Sequence, residues 1–133
     1  MINKAGCILV NKKTKQVALI YREQFKDISF PKGHIEEGET LIECAIRETE
    51  EEIKRKVKLV NNEILCVDKY ESNEGKIEVY YYLGIDDGIS DNDSLEVHDL
   101  IWCHIDEVDK KLTHKNTSKM FLEVKDKIID SIF

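Results

Sequence analysis

The stretch from Gly33 to Arg55, GHIEEGETLIECAIRETEEEIKR, constrains the fold more than any other part of the chain. Its apolar residues recur at helical spacing, and at ~100° per residue they share one broad sector. Leu41, Ile42, Ala45, Ile46, Thr49 and Ile53 occupy that sector, and Glu43, Arg47, Glu50 and Lys54 lie mostly opposite. Glu48, Glu51 and Glu52 fall at the rim of the apolar stripe, where a cleft can open. Like charges stacked one helical turn apart weaken a helix by a few tenths of a kcal/mol per pair. A divalent cation is the simplest offset. Mg²⁺ takes carboxylate oxygens and keeps waters and substrate phosphates in its other positions. The plainer reading is a solvated acidic face. Thr40, with Glu43 following, supplies a capping box that starts the helix.

The stretch resembles the Nudix box, G-x5-E-x7-R-E-U-x-E-E-x-G-U, with U a bulky aliphatic residue. Gly33, Glu39, Arg47, Glu48, Glu51 and Glu52 match its fixed glycine, arginine and glutamates. Thr49 takes the first aliphatic position, Lys54 stands in place of the second glycine, and Arg55 replaces the last aliphatic. Glycine normally serves that helix exit because a left-handed cap suits it. With Lys54 there, the helix is expected to end differently or to run on toward Lys56. The wording PKGHIEEGE is most similar to the diadenosine polyphosphate hydrolase branch, although Ile28 stands where a tryptophan often precedes it. Glu96 and Trp102 form an E-x5-W arrangement that resembles the same branch.

The rest of the chain reads as one mixed α and β domain of 133 residues. Residues 5–10 and 17–22 are expected to form a hairpin of two strands. Val57–Val60 and Glu63–Val67 read as further strands, 69–75 as a turn-rich connection, and 86–94 as an acidic loop. Residues 77–85, IEVYYYLGI, form a strand dense in β-branched and aromatic residues. Alternation points Tyr80 and Tyr82 to one face, where they offer a shelf for a nucleobase or pack across strands. Asp106 is expected to cap a short helix through Leu112. Asn116 or Thr117 is expected to cap a last helix, with Met120, Phe121, Val124 and Ile128 on its apolar face. A net charge of -7 disfavours nonspecific nucleic-acid binding. No apolar run approaches the ~20 residues of a membrane span. The four cysteines show no C-x-x-C spacing and read as small reduced core residues of a cytoplasmic protein.

The resemblance implies the rest. The fold would be a Nudix-type α/β/α sandwich with a mixed central sheet. The activity would be Mg²⁺-dependent (Mn²⁺ a substitute) hydrolysis of a nucleoside diphosphate linked to a further group, with diadenosine polyphosphates favoured. Nucleoside triphosphates or an RNA 5′-triphosphate are the alternative substrates, and a noncatalytic nucleotide-sensing module is the alternative of another class. Glu48, Glu51, Glu52 and the Gly33 carbonyl would hold metal. Glu48 or Glu96 would accept the proton of the attacking water. Arg47 would orient a glutamate rather than touch substrate, and Glu39 would support the turn or bind a further metal. Arg22 and Lys32 would meet phosphate, with a solvated strand end as the other reading of Arg22. His34 would be structural. The assembly would be a monomer or a homodimer.

Overall fold

The computed structural model describes residues 1–95 and 97–133. Two apolar faces along one strand explain its layering. In β1 (Ile2–Asn11), Ala5, Cys7 and Leu9 point one way and Ile8 and Val10 the other, and all five are fully buried. Such a strand has to be covered on both sides. Helix α1 (Leu41–Ile53) covers the first face through Cys44, Ala45 and Ile53. Helix α3 (Lys115–Ile132) covers the second through Phe121 and Ile128. The result is an α/β/α sandwich around a mixed sheet.

That sheet runs in the order β3 (Asp27–Ser29), β2 (Gln16–Arg22), β1, β6 (Gly75–Ile89), β5 (Arg55–Ser72). β1 and β6 are parallel, and β5 and β6 are antiparallel. The short strand β4 (Lys32–His34) pairs with β1, and β7 (Asp99–His104) pairs with β2. The expected β1–β2 hairpin is present, although its register is brief, because β2 then turns to β7. Phe30 lies edge-on to Tyr81, ring centroids 5.4 Å apart, and against Phe121 at 5.9 Å, which joins β6 to α3. Short helix α2 (Val108–Lys111) precedes α3.

Several local expectations are corrected. The two strands expected on either side of Asn61 and Asn62 are one strand, β5, whose polar middle is absorbed by bulges between Leu59 and Cys66. β5 and β6 both extend into stretches expected to be loops, because they pair along nearly their whole length. The box helix neither runs on nor changes its exit. Lys54 itself takes the left-handed conformation, φ 53°, and its N–H donates to the Glu50 carbonyl at 2.9 Å. Asp106 does not cap α2; it pairs with Lys125 at 2.9 Å. Asn116 and Thr117 do not cap α3 either. Both donate to Asp68 of β5, at 2.8 and 2.6 Å, and so give a buried carboxylate its partners beside a helix N-terminus. Cys7, Cys44 and Cys103 are buried, and all four thiols are unpaired. Burial pushes the Cys7, Cys44 and Cys66 thiols up to about 12. No helix among the described residues is long and apolar enough to cross a membrane.

Candidate active site

The capping box at Thr40 sets where α1 begins, and with it which residues reach the rim. The Thr40 hydroxyl accepts from Glu43 N–H at 3.1 Å, and the Glu43 carboxylate accepts from Thr40 N–H at 3.0 Å. About two and three turns on from Thr40, Glu48, Glu51 and Glu52 line a cleft of about 980 Å³. Glu48 and Glu52 are each 8% exposed. Glu48 packs against Gly33 so closely that a side chain at position 33 would overlap its carboxylate. Glycine is therefore required there by close approach.

Arg47 organises the carboxylates. Its Nε donates to Glu39 at 2.6 Å, and Nη1 donates to Glu48 at 2.9 Å and to Glu51 at 3.1 Å. Nη2 donates to Glu39 at 3.0 Å and to the His34 carbonyl at 3.1 Å. The planar fork suits this many-armed contact, and lysine could not reproduce it. The Arg47 hydrogen bond holds Glu39 at about 2, and Glu39 in turn accepts from Glu36 N–H at 3.0 Å and closes the turn before the helix. Glu52 stands apart from Arg47. Its Oε2 accepts from Lys32 N–H at 3.1 Å, and burial pushes its carboxyl well above the usual range.

The opposite wall is cationic. Arg22, at the end of β2, is gripped by Asp27 with two hydrogen bonds of 2.8 and 2.6 Å. Its guanidinium stacks on Phe25, 4.4 Å from the ring centroid. The His114 Nε2–H donates to the same Asp27 carboxylate at 2.8 Å. Burial pushes Asp27 up, but the hydrogen bonds from Arg22 and His114 outweigh it and leave the carboxyl at about 2. Burial and the Arg22 charge push the Lys32 ammonium down. Arg22 and Lys32 also border a second cavity of about 330 Å³, which reaches Tyr70 on β5 and Asn116 at the start of α3.

The predicted residues Gly33, Arg47, Glu48, Glu51 and Glu52 thus meet Arg22 and Lys32 in one cleft. Tyr80 and Tyr82 are not brought to it. Tyr82, 4% exposed, is core beneath α1 with Ala5 and Cys44, and the Tyr80 hydroxyl donates to Glu78. The strand has helices over both faces, so the face opposite Tyr81 offers no open shelf for Tyr82. Of the aromatic side chains here, Phe25 lines the cleft and Tyr70 the second cavity, and sequence reasoning placed Tyr70 in a turn-rich connection. Lys4, Asp27 and His114 were also missed. For Tyr70 the available signal was the strand pattern of residues 65–67 continuing through it toward the end of β5. Glu96 lies outside the described residues. Its neighbours Ser94 and Leu95 line the cleft, held there because His98 N–H donates to the Glu52 carbonyl at 2.9 Å.

Among the described residues, no three acidic, histidine or cysteine side chains converge closely enough, as they stand, to hold a metal ion. The donors are nonetheless all hard oxygens, and Glu48 packs against Gly33. This set fits a Mg²⁺-type ion, which completes its shell with water and substrate oxygens rather than needing a full protein cage.

The NUDIX domain family matches the chain over residues 2–124, and the chain belongs to that family. It is an enzyme of the class that hydrolyses phosphoric anhydrides. The fold is similar to that of the Ap4A hydrolase of C. elegans in a binary complex, at 21% identity, covering 100% of both chains, with a TM-score of 0.76. It is also similar to the MutT protein of Bacillus halodurans, at 24% identity, covering 94% of this chain and 82% of that one, TM-score 0.75. The dihydroneopterin triphosphate pyrophosphohydrolase of E. coli shares it at 15% identity, covering 94% and 95%, TM-score 0.74. No curated protein matches the chain by sequence.

Proposed function

We propose that this chain is a Mg²⁺-dependent pyrophosphohydrolase of nucleoside diphosphates carrying a further group, with diadenosine polyphosphates as preferred substrates. One observation carries the reading. A carboxylate wall faces a cationic wall in a cleft that continues, past Arg22 and Lys32, into a second cavity bordered by an aromatic ring. A polyphosphate needs the first two features, and a nucleoside at its end needs the third. Stacking on Tyr70 would contribute roughly 1–3 kcal/mol and tolerate different bases. The fold shared with an Ap4A hydrolase supports the choice of substrate class.

Glu48, Glu51, Glu52 and the Gly33 carbonyl would hold the metal. When bound, it lowers the pKa of water and offsets phosphate charge. Arg47 keeps the glutamates apart and oriented, so that their oxygens are presented without mutual repulsion deforming α1. Arg22, held rigid by Asp27, and Lys32 bind phosphate oxygens next to the nucleoside. Water attacks one phosphorus; its oxygen bonds as the bond to the bridging oxygen breaks, and the electron pair leaves with the departing phosphate. A cleft carboxylate takes the water proton.

The test is hydrolysis of diadenosine tetraphosphate with Mg²⁺, with products separated by chromatography. ATP and AMP are expected. Turnover confined to mononucleotides, with pyrophosphate released, would replace the dinucleotide reading with triphosphate hydrolysis. Absence of turnover on both, with tight nucleotide binding, would make the chain a sensing module.

A further inference from the structure

A dinucleoside polyphosphate carries a base at each end, and the Tyr70 cavity accounts for one of them. The phosphates run past Arg22 and Lys32 into the cleft, so the second base is met there or left in solvent. The lining of the cleft is mostly charged and polar. Among the described residues, Phe25 and Leu95 are its large apolar side chains, and both are exposed. A single exposed leucine is ordinary and needs no explanation. Phe25 differs because the chain fixes it in place.

The β2–β3 hairpin closes on Arg22 and Asp27, which are register partners. In the turn between them, Phe25 N–H donates to the Arg22 carbonyl at 3.1 Å, and Lys26 takes a left-handed conformation, φ 50°. The turn brings the Phe25 ring onto the Arg22 guanidinium, which Asp27 holds still with two hydrogen bonds. A guanidinium at 4.4 Å from the centroid is well within the ~6 Å over which a ring face attracts a cation. One face of Phe25 is thus covered by a fixed cation, and at 59% exposure the opposite face is open. A ring ordered before the ligand arrives loses little freedom on stacking. Phe25 lines the cleft and not the second cavity, Tyr70 lines the second cavity and not the cleft, and Arg22 borders both.

On the reading of this cleft as a polyphosphate site, we propose that Phe25 is the stacking platform for the second base of a dinucleoside polyphosphate, with Tyr70 serving the first. Arg22 then has two roles. Its flat face supports the Phe25 ring, and its Nη1, which Asp27 leaves aside by taking Nε and Nη2, meets phosphate. Every base has a π-face, so stacking alone accepts any of them. Phe25 therefore rewards the presence of a second base and not its identity, which separates dinucleotides from mononucleotides.

The test compares diadenosine tetraphosphate with adenosine 5′-tetraphosphate, which carries the same phosphate chain and a single base. Calorimetry at fixed Mg²⁺, in a Glu52→Gln background to slow turnover, gives both affinities. Phe25→Ala is expected to weaken the dinucleotide about tenfold, as loss of one stacking platform does, and to leave the mononucleotide nearly unchanged. Phe25→Trp is expected to restore the dinucleotide. With Glu52 intact, KM for diadenosine tetraphosphate should rise in Phe25→Ala with kcat held. Phe25→Leu, which keeps apolar bulk without a ring, replaces the alanine variant should that one melt early. Equal weakening of both probes would assign Phe25 to the support of Arg22 alone and overturn the proposal, as would weakening of neither. Phe25-dependent dinucleotide binding without hydrolysis of any nucleotide by the parent would sink the enzymatic reading and keep the platform. Dinucleotide hydrolysis with a KM indifferent to Phe25 would do the reverse.

Discussion

The two walls of the cleft are built in opposite ways. The carboxylate wall comes from one short stretch, Gly33 to Glu52, and is organised by local contacts around a single arginine. The cationic wall draws Lys4, Arg22, Lys32, Asp27 and His114 from four strands and the residue that caps α3. The first is held by a helix and its cap, so its geometry follows from spacing. The second exists only because β1 lies between β2 and β6 and because α3 begins beside β3. In the proposed reaction, acid–base and metal chemistry would sit on the locally determined wall. Substrate selection would sit on the wall that topology assembles, where single residues can change without disturbing the helix.

That contrast is open to test. The largest effect is expected on the carboxylate wall. Glu52→Gln should lower kcat by about a hundredfold to a thousandfold, the range seen when one preorganised electrostatic group is removed. Thermal melting should not fall, because burial already disfavours the charged form of Glu52 and glutamine keeps an acceptor for Lys32 N–H. Unchanged turnover in that variant would remove the helix from the chemistry.

Next come the tyrosines. Tyr70→Ala should raise KM for a dinucleotide about tenfold through lost stacking, with a small change in melting temperature. Tyr82→Ala should do the opposite, with a stability loss of about 3 kcal/mol from the core cavity and little change in KM. Both are checked by pairing steady-state kinetics with denaturant unfolding. A KM effect in Tyr82→Ala alone would restore the shelf expected from the sequence.

Asp27→Asn should raise KM severalfold, because Arg22 loses its bidentate anchor. It also carries a pH signature. The Asp27 carboxyl is lowered to about 2 from an ordinary 3.8. Its stabilising contribution is thus complete above pH 3.8 and is lost as the pH falls toward 2. Acid unfolding curves of the parent and of Asp27→Asn should converge through that window; parallel curves would remove Asp27 from the acid response.

The smallest effect belongs to the helix exit. Lys54→Gly should raise stability by up to about 1 kcal/mol, since a left-handed residue with a side chain carries a steric cost that glycine does not. Guanidinium unfolding measures it. A loss of stability would mean that the Lys54 side chain has an unrecognised partner.

The residues alone determined the box helix, its start at Thr40, the rim position of Glu48, Glu51 and Glu52, and the pair of strands β1 and β2 at the start of the chain. These rest on interactions within a few residues, capping bonds and a repeat of apolar side chains, which leave a trace in linear order. The exit at Lys54 was misread because a left-handed conformation is tied to glycine by preference rather than by necessity. Asn116 and Thr117 were misread as caps because their partner, Asp68, is distant in the chain. Tyr82 became core, and Tyr70 became the aromatic of the second cavity, through the covering of both sheet faces and the full-length pairing of β5 with β6. The tertiary structure alone decided which cations share a wall and which of them, among the described residues, pair with a carboxylate. Strand order brings those side chains together across long separations, and no local pattern records strand order.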